Sequence, residues 1–282
     1  HCAMKKHFWK MHGIGNDYIY FDCFDWFPTD PSALAVKLSD RHFSIGGDGV
    51  VYICRSGKAD GRMRMFNADG SEGKMCGNAI RCIGKFLYEV KGIHKKELRI
   101  ETESGIKTLA LEAEKGVVCQ VRVDMGAPEL RPAQIPANFA GERAISVPLT
   151  VGGERYRVTC VSMGNPHCVT FVSDPYTVDL EKLGPQFEHH AAFPARVNAE
   201  FVRVDARNEL TMRVWERGSG ETWACGTGAC AAAVAGVLNG FCGMGEDVVV
   251  HLRGGDLTVR YTEQTVFMTG PAAFAFEGDV EL

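Results

Sequence analysis

Two stretches of the chain carry the same phrase, a cysteine followed by glycine and small residues: Met75-Cys-Gly-Asn-Ala79 and Ala224-Cys-Gly-Thr-Gly-Ala229. The two cysteines stand about half of the 282-residue chain apart. Each phrase leads into a predicted helix that is apolar on most of its circumference, Gly77–Val90 and Gly226–Asn239. Such a helix must be enclosed by protein. The repeat therefore predicts two similar halves, each built around one buried helix.

The rest of the chain reads mainly as short strands separated by turn residues. Leu98–Glu103 and Ile106–Glu112 alternate apolar and polar residues around Gly105, which is typical of a β-hairpin. Two further segments, Pro31–Asp40 and Asp179–His190, are predicted as helices. The other predicted strands are Val117–Asp124, Tyr156–Ser162, Phe201–Val204, Leu210–Trp215, Val248–Leu252 and Leu257–Tyr261.

These elements predict an α+β fold with two pseudo-symmetric domains, each a curved antiparallel or mixed β-sheet wrapped around a central helix. The first domain is predicted to span residues 4–124 and to be completed by a C-terminal strand within 270–282. The second is predicted to span residues 125–269, because a strand ends in the breaker residues Met125-Gly-Ala-Pro128. His1 to Ala3 precede Met4 and are set aside as an expression remnant.

The composition excludes several classes of protein. With 45% hydrophobic and 23% charged residues, the chain can bury a core and is not intrinsically disordered. The net charge is −4, and no long run of Lys or Arg marks a site for nucleic acid or an anionic membrane. The longest apolar run, Ala229–Leu238, is far shorter than the ~20 residues of a membrane-spanning helix. We therefore expect a cytoplasmic protein with a small-molecule partner.

The 11 cysteines cannot pair completely. A chain of this length does not depend on disulfides, so free thiols in a reducing compartment are expected. Cysteines separated by two residues, a common spacing in metal sites, do not occur in the sequence. We therefore expect no bound metal, and we interpret most cysteines, including Cys82 and Cys230, as buried packing residues.

Cys76 and Cys225 are different, because each is predicted to stand at the start of a helix. Unpaired backbone N–H groups and the positive end of the helix dipole meet there. This setting favours a thiolate and is expected to lower the pKa of the thiol from about 8.5 towards neutrality. The glycine after each cysteine lets a carboxylate approach the same N–H groups. Each half is thus predicted to carry a reactive sulfur beside an anion site.

Two such sulfurs fit a reaction at a carbon atom next to a carboxylate. If they face each other across a cleft between the halves, one thiolate can remove the α proton while the opposite thiol returns a proton to the other face. The product then has the inverted configuration. Helix N-termini directed at the carboxylate would stabilise the charge that develops in the transition state.

Several longer blocks of sequence share a known family pattern, in family order. They are Met11-His-Gly-Ile-Gly-Asn-Asp-Tyr18, Asp40-Arg-His-Phe-Ser-Ile-Gly-Gly-Asp-Gly49, Phe66-Asn-Ala-Asp-Gly-Ser-Glu72 followed by Met75-Cys-Gly-Asn-Ala-Ile-Arg81, Gly164-Asn-Pro-His167, and Glu216-Arg-Gly-Ser-Gly-Glu-Thr-Trp-Ala-Cys-Gly-Thr-Gly-Ala229. Together they resemble the diaminopimelate epimerase family. The resemblance implies a cofactor-independent enzyme that interconverts LL- and meso-2,6-diaminopimelate in lysine and peptidoglycan precursor biosynthesis.

The resemblance also implies roles for individual residues. Cys76 and Cys225 match the acid–base pair of the family, and His167 and Glu216 match the residues that set the protonation of the cysteines. Arg217 offers a fork-shaped cation for the distal carboxylate of the substrate. The positions that match substrate-binding residues are Asn16, Asn67, Gly77, Asn78, Asn165, Asn198, Glu216, Arg217, Gly226 and Thr227.

The chain departs from the family pattern at two positions. Some members carry a glutamine that contacts the substrate where Gly49 stands. Members often place a tyrosine at the dimer interface near the C-terminus, and the counterpart here is Phe276. The resemblance therefore implies a homodimer with Phe276 at its interface, where the ring is kept and the hydroxyl is lost.

Three alternatives remain open. A proline or hydroxyproline racemase uses the same two-thiol chemistry, but a monobasic cyclic substrate would leave Arg217 and several asparagines without partners. Isomerases of a related fold lack the pair formed by Cys76 and Cys225. A cysteine-rich metal or redox-sensing module would need ligand spacings that the sequence does not have.

Overall fold

The structure is a computed structural model that describes residues 4–282, so His1 to Ala3 lie outside the described residues. The chain forms two compact units: one contains the residues up to Val123 together with Thr269–Leu282, and the other contains Asp124–Met268. Each unit combines a mixed β-sheet with two α-helices. The predicted α+β fold class is confirmed.

The first unit contains most of the N-terminal half and the last strand. Its elements are β1 (Lys5–Gly13), β2 (Asn16–Cys23), α1 (Pro31–Ser39), β3 (Gly49–Cys54), β4 (Gly61–Asn67), β5 (Glu72–Gly73), α2 (Gly77–Glu89), β6 (Glu97–Thr102), β7 (Gly105–Glu114), β8 (Val117–Gly126) and β18 (Ala273–Glu281). β1 pairs antiparallel with β2 and β18, and β2 pairs parallel with β3. β4 pairs antiparallel with β3 and β5 and parallel with β6, and β7 pairs antiparallel with β6 and β8.

Two strands contain residues of both units: β8, which ends three residues beyond Val123, and β17 (Val266–Gly270). The other elements of the second unit are equivalent to those of the first: β9 (Val147–Val151), β10 (Glu154–Ser162), β11 (Pro166–Phe171), α3 (Leu180–Glu188), β12 (Asn198–Ala206), β13 (Glu209–Glu216), β14 (Gly220–Thr222), α4 (Gly226–Leu238), β15 (Asp247–Leu252) and β16 (Gly255–Tyr261). β10 pairs antiparallel with β9 and β11, and β11 pairs parallel with β12. β13 pairs antiparallel with β12 and β14 and parallel with β15, which pairs antiparallel with β16.

The internal duplication is visible in the strand pairing. The successive strand pairings within β1–β7 and within β10–β16 have the same directions. In each set the order is antiparallel, parallel, antiparallel, antiparallel, parallel and antiparallel. In each unit the first parallel connection contains an outer helix, α1 or α3, and the second contains a central helix, α2 or α4. Parallel neighbours require such crossover connections. The predicted pseudo-symmetry is therefore confirmed at the level of topology within each unit.

The outer helices begin with aspartate caps. Asp30 accepts a hydrogen bond from the N–H of Ala33 at the start of α1, where Pro31 occupies the first helical position. Asp179 caps α3 in the same way through the N–H of Lys182. Each outer helix packs on the sheet of its own unit, and Phe187 of α3 lies in an apolar cluster with buried strand residues.

The central helices are enclosed by strands of their own sheets. α2 contacts β1, β2, β4 and β7, and α4 contacts β10, β11, β12, β13, β15 and β16. α4 consists mainly of alanine, glycine and other small residues, whereas α2 buries two cations, Arg81 and Lys85. Arg81 donates to the carbonyl of Pro271 at 3.1 Å, and Lys85 donates to the carbonyl of Val118 at 2.9 Å. These bonds compensate for the burial of the charges.

The helices are also short. Within residues 4–282, none has the length and apolar character needed to cross a membrane. Cys82 and Cys230, on the central helices, are fully buried, which confirms their interpretation as packing residues.

Candidate active site

Cys76 is the N-cap residue of α2. Its Sγ donates to Oδ1 of Asn16 at 3.4 Å, and the hydroxyl of Tyr18 points at the sulfur from 4.0 Å. Burial raises the pKa of the Cys76 thiol, while the backbone N–H groups of Ala79 and Asn78 act in the opposite direction. The sulfur therefore lies at the helix start as predicted, but in a setting that favours the neutral thiol.

Asn16 and Asn78 form a network around this sulfur. The side-chain amide of Asn78 donates to Oδ1 of Asn16 at 3.1 Å, and Asn16 in turn donates to Asp48 at 2.7 Å. Arg81 donates to Oδ1 of Asn78 at 2.8 Å, so the orientation of both amides is fixed. The family resemblance implies roles for the two asparagines, whereas Tyr18 and Asp48, which lie in the same family blocks, were not predicted as site residues.

Asn67 lies at the end of β4, directly opposite Gly49 of β3. Its side-chain amide donates to the hydroxyl of Ser71 at 3.1 Å. A Cβ atom at Gly49 would lie 2.1 Å from the carbonyl oxygen of Phe66 and 2.9 Å from the ring of Tyr18. This backbone therefore accepts only glycine at position 49, which explains in steric terms why a glutamine does not occur there.

Cys225 is the N-cap residue of α4, and its side chain is buried. Its Sγ accepts a hydrogen bond from the N–H of Gly228 at 3.3 Å and lies 3.8 Å from the hydroxyl of Thr227. Burial raises the pKa of this thiol well above its usual value, and the carboxylates of Glu216 and Glu200 raise it further. The Gly228 amide opposes this shift.

A chain of hydrogen bonds extends from Thr227 into the interior of the second unit. Asn165 donates to the Thr227 hydroxyl at 3.2 Å and accepts from Nε2 of His167 at 2.9 Å. Nδ1 of His167 lies 2.5 Å from Oε1 of Glu200, and both side chains are completely buried. Burial raises the pKa of Glu200 to about 7, although His167 acts against the shift. Glu200 belongs to none of the motifs recognised in the sequence.

Glu216, Arg217 and Asn198 lie together near the end of β13. Glu216 accepts a hydrogen bond from the hydroxyl of Thr222. The backbone N–H of Arg217 donates to Oδ1 of Asn198 at 2.8 Å, and the amide of Asn198 donates to the carbonyl of Pro166 at 2.9 Å. Asn198 is 3% exposed, so in this structure it ties two backbone segments together rather than presenting a free amide.

The expectation of lowered cysteine pKa values is wrong for this structure. The helix-start amides do act on both sulfurs in the predicted direction. However, desolvation is the largest effect at each thiol, because the central helices lie inside their sheets. For Cys225, the nearby Glu216 and Glu200 add to this effect.

Asp205, Glu209 and His251 bring one potential metal ligand each within 4.8 Å of one another. Their existing contacts account for this grouping. His251 lies 2.7 Å from Asp256 and 3.2 Å from Glu209, and Asp205 pairs with Arg203 at 2.7 Å. The cluster belongs to the surface of the second unit and includes no residue assigned to the reaction.

Comparisons with known proteins identify the family of the chain. The sequence model of the family described as "Diaminopimelate epimerase" matches residues 8–131 and 159–275. A protein of Acetivibrio thermocellus named diaminopimelate epimerase is 53% identical over 277 residues, which cover 98% of this chain and 98% of that protein.

Two solved structures share the fold at low sequence identity. A Bacillus anthracis phenazine biosynthesis protein of the PhzF family is 16% identical with a TM-score of 0.70, over 99% of this chain and all of the other. A hydroxyproline epimerase from Agrobacterium vitis is 15% identical with a TM-score of 0.68, over 99% and 93%. The family match and the high identity to its members over nearly the whole length decide the assignment: the chain belongs to the diaminopimelate epimerase family.

Proposed function

We propose that the chain interconverts LL- and meso-2,6-diaminopimelate without a cofactor, with Cys76 and Cys225 as the acid–base pair. The observation that carries the proposal is that each duplicated unit has a cysteine as the N-cap residue of its central helix. The names of two relatives that are 53% and 52% identical to the chain support the substrate. The reaction belongs to lysine and peptidoglycan precursor biosynthesis, and its need for free thiols favours the reducing cytoplasm.

In the proposed reaction, one sulfur enters as a thiolate and the other as a thiol. The thiolate takes the α proton of the substrate and becomes a thiol, leaving its electron pair on the carbon and the adjoining carboxylate. The second thiol then donates a proton to the opposite face of that carbon and becomes a thiolate. One C–H bond breaks and one forms, the number of protons is unchanged, and the configuration is inverted.

The charge that develops on the substrate carboxylate needs donors that are already in place. The N–H groups of Gly77 and Asn78 at the start of α2, and those of Gly226 and Thr227 at the start of α4, have this role in the proposal. Because burial raises the pKa of both thiols, the thiolate forms when the substrate binds and its α-ammonium group stabilises the negative sulfur.

The remaining site residues bind the substrate or act on the thiols. Arg217 pairs with the distal carboxylate, since a guanidinium can donate two parallel hydrogen bonds. The side chains of Asn16, Asn67 and Asn165 are proposed to orient the amino and carboxylate groups. Asn198, whose amide is engaged by backbone, acts by holding the Arg217 segment in place. His167 and Glu216 set the protonation state of the two catalytic cysteines in the proposal.

The proposed assembly is a homodimer with Phe276 at its interface. Phe276 lies on β18 and is 51% exposed, a large fraction for an aromatic side chain. Its ring contacts Phe8 at a centroid distance of 6.0 Å, so its position on the strand is defined. A partner that covers this ring would remove apolar surface from water, which favours association.

The direct test is incubation of the dialysed protein with LL-diaminopimelate and separation of the stereoisomers by chromatography. We expect meso product without added cofactor, and about 10²- to 10⁴-fold slower turnover for Cys76→Ser or Cys225→Ser. Cys119→Ser, at an exposed position on β8, is the matched control and should retain activity. Racemisation of proline or hydroxyproline, with no turnover of diaminopimelate, would instead establish the alternative function.

A further inference from the structure

Glu200 is a buried carboxylate with no assigned role in the proposed reaction. It lies on β12 in the interior of the second unit and is 0% exposed. Its Oε1 contacts Nδ1 of His167, whereas within residues 4–282 its Oε2 has no hydrogen-bond partner. A buried carboxylate is costly unless it is protonated or paired with a charge. The hydrogen bonds of its neighbours show whether the Glu200 carboxylate is protonated or paired with a charge.

The hydrogen bonds of Asn165 assign the protons of His167. Asn165 donates its amide N–H to Thr227, so its Oδ1 faces His167 and can only accept. Nε2 of His167 therefore carries a hydrogen. The contact of 2.5 Å between Nδ1 of His167 and Oε1 of Glu200 then requires one proton between them, on either atom. With that proton, His167 and Glu200 together are neutral.

The same carboxylate lies close to the Cys225 thiol. A Cβ atom built at Gly228 would be 3.0 Å from Sγ of Cys225 and 3.0 Å from Oε1 of Glu200. The sulfur and the oxygen are therefore separated by no more than twice that distance. Glu200 thus reaches Cys225 in two ways, through space and through the hydrogen bonds of His167, Asn165 and Thr227.

We propose that Glu200 is a positioning residue of the Cys225 half of the site. By sharing one proton with His167, it fixes the hydrogen on Nε2 and so orients Asn165 and Thr227 towards the thiol. Through its charge, it also sets the pH range in which Cys225 ionises. This inference rests on the proposed function only for its kinetic consequences, since the proton arrangement is a property of the protein without substrate.

The charged and titratable groups around Glu200 come from three elements. His167 and Cys168 lie on β11, Glu216 lies on β13, and Cys225 precedes α4. Burial has the largest effect on Glu200 and raises its pKa to about 7, while His167 acts against this shift and Glu216 adds to it. The negative charge of an ionised Glu200 raises the pKa of Cys225 and so opposes its ionisation.

The first experiment uses the unmodified protein. Nitrogen-15 NMR of the imidazole of His167, assigned by the loss of its signals in His167→Gln, reports which nitrogen carries the hydrogen. We expect Nε2 to carry a hydrogen at every pH from about 5.5 to 8.5. An imidazole whose neutral form carries its hydrogen on Nδ1, with a bare Nε2, would overturn the inference.

The second experiment uses Glu200→Gln, in which an amide can still donate to Nδ1 but cannot share a proton. We expect kcat to fall about 10- to 100-fold with little change in KM, as for other residues that orient a reacting group. The pH profile of Cys225 alkylation should shift to lower pH by about one unit, because a nearby negative charge is lost. A purely structural role would leave both properties at their wild-type values and would contradict the proposal.

Thr170→Val is the matched control. Thr170 lies on the same strand as His167 and is 2% exposed, and its side chain has no role in the proposed reaction. This variant should leave kcat and the alkylation profile unchanged. If the wild-type protein does not turn over diaminopimelate, the proposed function fails, but NMR and alkylation still decide the role of Glu200. If Glu200→Gln does not fold, the NMR result on the wild type decides alone.

Discussion

The N–H of Gly228 donates to Sγ of Cys225 across the first turn of α4, at 3.3 Å. A side chain at position 228 would lie 3.0 Å from that sulfur. We therefore expect Gly228→Ala to displace the thiol and to lower kcat about 10- to 100-fold, since small displacements of a reacting group are costly. Alanine favours the helix over glycine by up to about 1 kcal/mol, which offsets the cost of the close contact with the sulfur. The melting temperature should therefore change little.

Ala232→Gly is the control for this prediction, because it should change stability and not kcat. Ala232 lies further along α4 and is fully buried, so its replacement by glycine should lower the free energy of unfolding by about 1 kcal/mol and leave kcat unchanged. Steady-state kinetics and thermal unfolding of both variants test whether kcat depends on the position of the Cys225 sulfur. A Gly228→Ala enzyme with wild-type kcat would show that the position of the sulfur is not critical.

The raised pKa values of the thiols predict how their reactivity depends on pH. Burial raises the pKa of Cys76 and Cys225, so in the absence of substrate both are thiols at pH 7 and ionise only in the alkaline range. Alkylation by iodoacetamide, followed by peptide mass spectrometry, should accelerate about tenfold per pH unit up to at least pH 9. The exposed Cys119 serves as an internal reference for the reagent. A rate that levels off below pH 8 would indicate a stabilised thiolate instead.

Arg217 is expected to contribute to substrate binding. Its guanidinium donates to the carbonyl of Ala195 at 3.0 Å, which leaves other N–H groups for a carboxylate. Arg217→Ala should reduce kcat/KM by the equivalent of about 1.5–3 kcal/mol, the usual value of a charged hydrogen bond. Arg131→Ala, which removes an exposed ion pair with Glu129, is the control and should have little effect. Unchanged kinetics for Arg217→Ala would remove this residue from the site.

The proposed dimer predicts a specific effect at Phe276. Phe276→Asp should give a monomer in light scattering at micromolar concentration, because a carboxylate would have to be buried in the interface. Phe276→Tyr should remain dimeric. Phe43→Asp is the control, since Phe43 is 92% exposed and lies outside β18. A wild-type protein that is monomeric under these conditions would contradict the proposed assembly.

Much of the fold was predictable because its signals are local. The central helices were predicted to begin at Gly77 and Gly226, and they do. The hairpin around Gly105 also forms as predicted. The return of a C-terminal strand to the first domain was expected, but its pairing with β1 was not predictable, because that pairing joins residues from opposite ends of the chain. No local pattern specifies such a contact.

The site was only partly predictable, because part of it depends on contacts between residues that are distant in the sequence. Repeated Cys-Gly phrases identified Cys76 and Cys225, but the depth at which each sulfur is buried depends on the whole sheet around it. Glu200 was missed because it directly precedes the predicted strand Phe201–Val204 and belongs to no recognised motif. The available signal was a carboxylate between the apolar residues Ala199 and Phe201, in a segment that also contains Asn198. A buried acid of this kind is uncommon without a specific partner.

The most direct test of the two-thiol proposal is the reaction of LL-diaminopimelate in deuterated water, followed by mass spectrometry of both stereoisomers at early times. If one sulfur removes the proton and a different sulfur returns it, the meso product carries one solvent deuterium at the inverted carbon, while the remaining LL-substrate stays unlabelled. This is the result that we predict. Deuterium that appears in the LL-substrate as quickly as in the product would show that a single group acts on both faces, and would contradict the proposal.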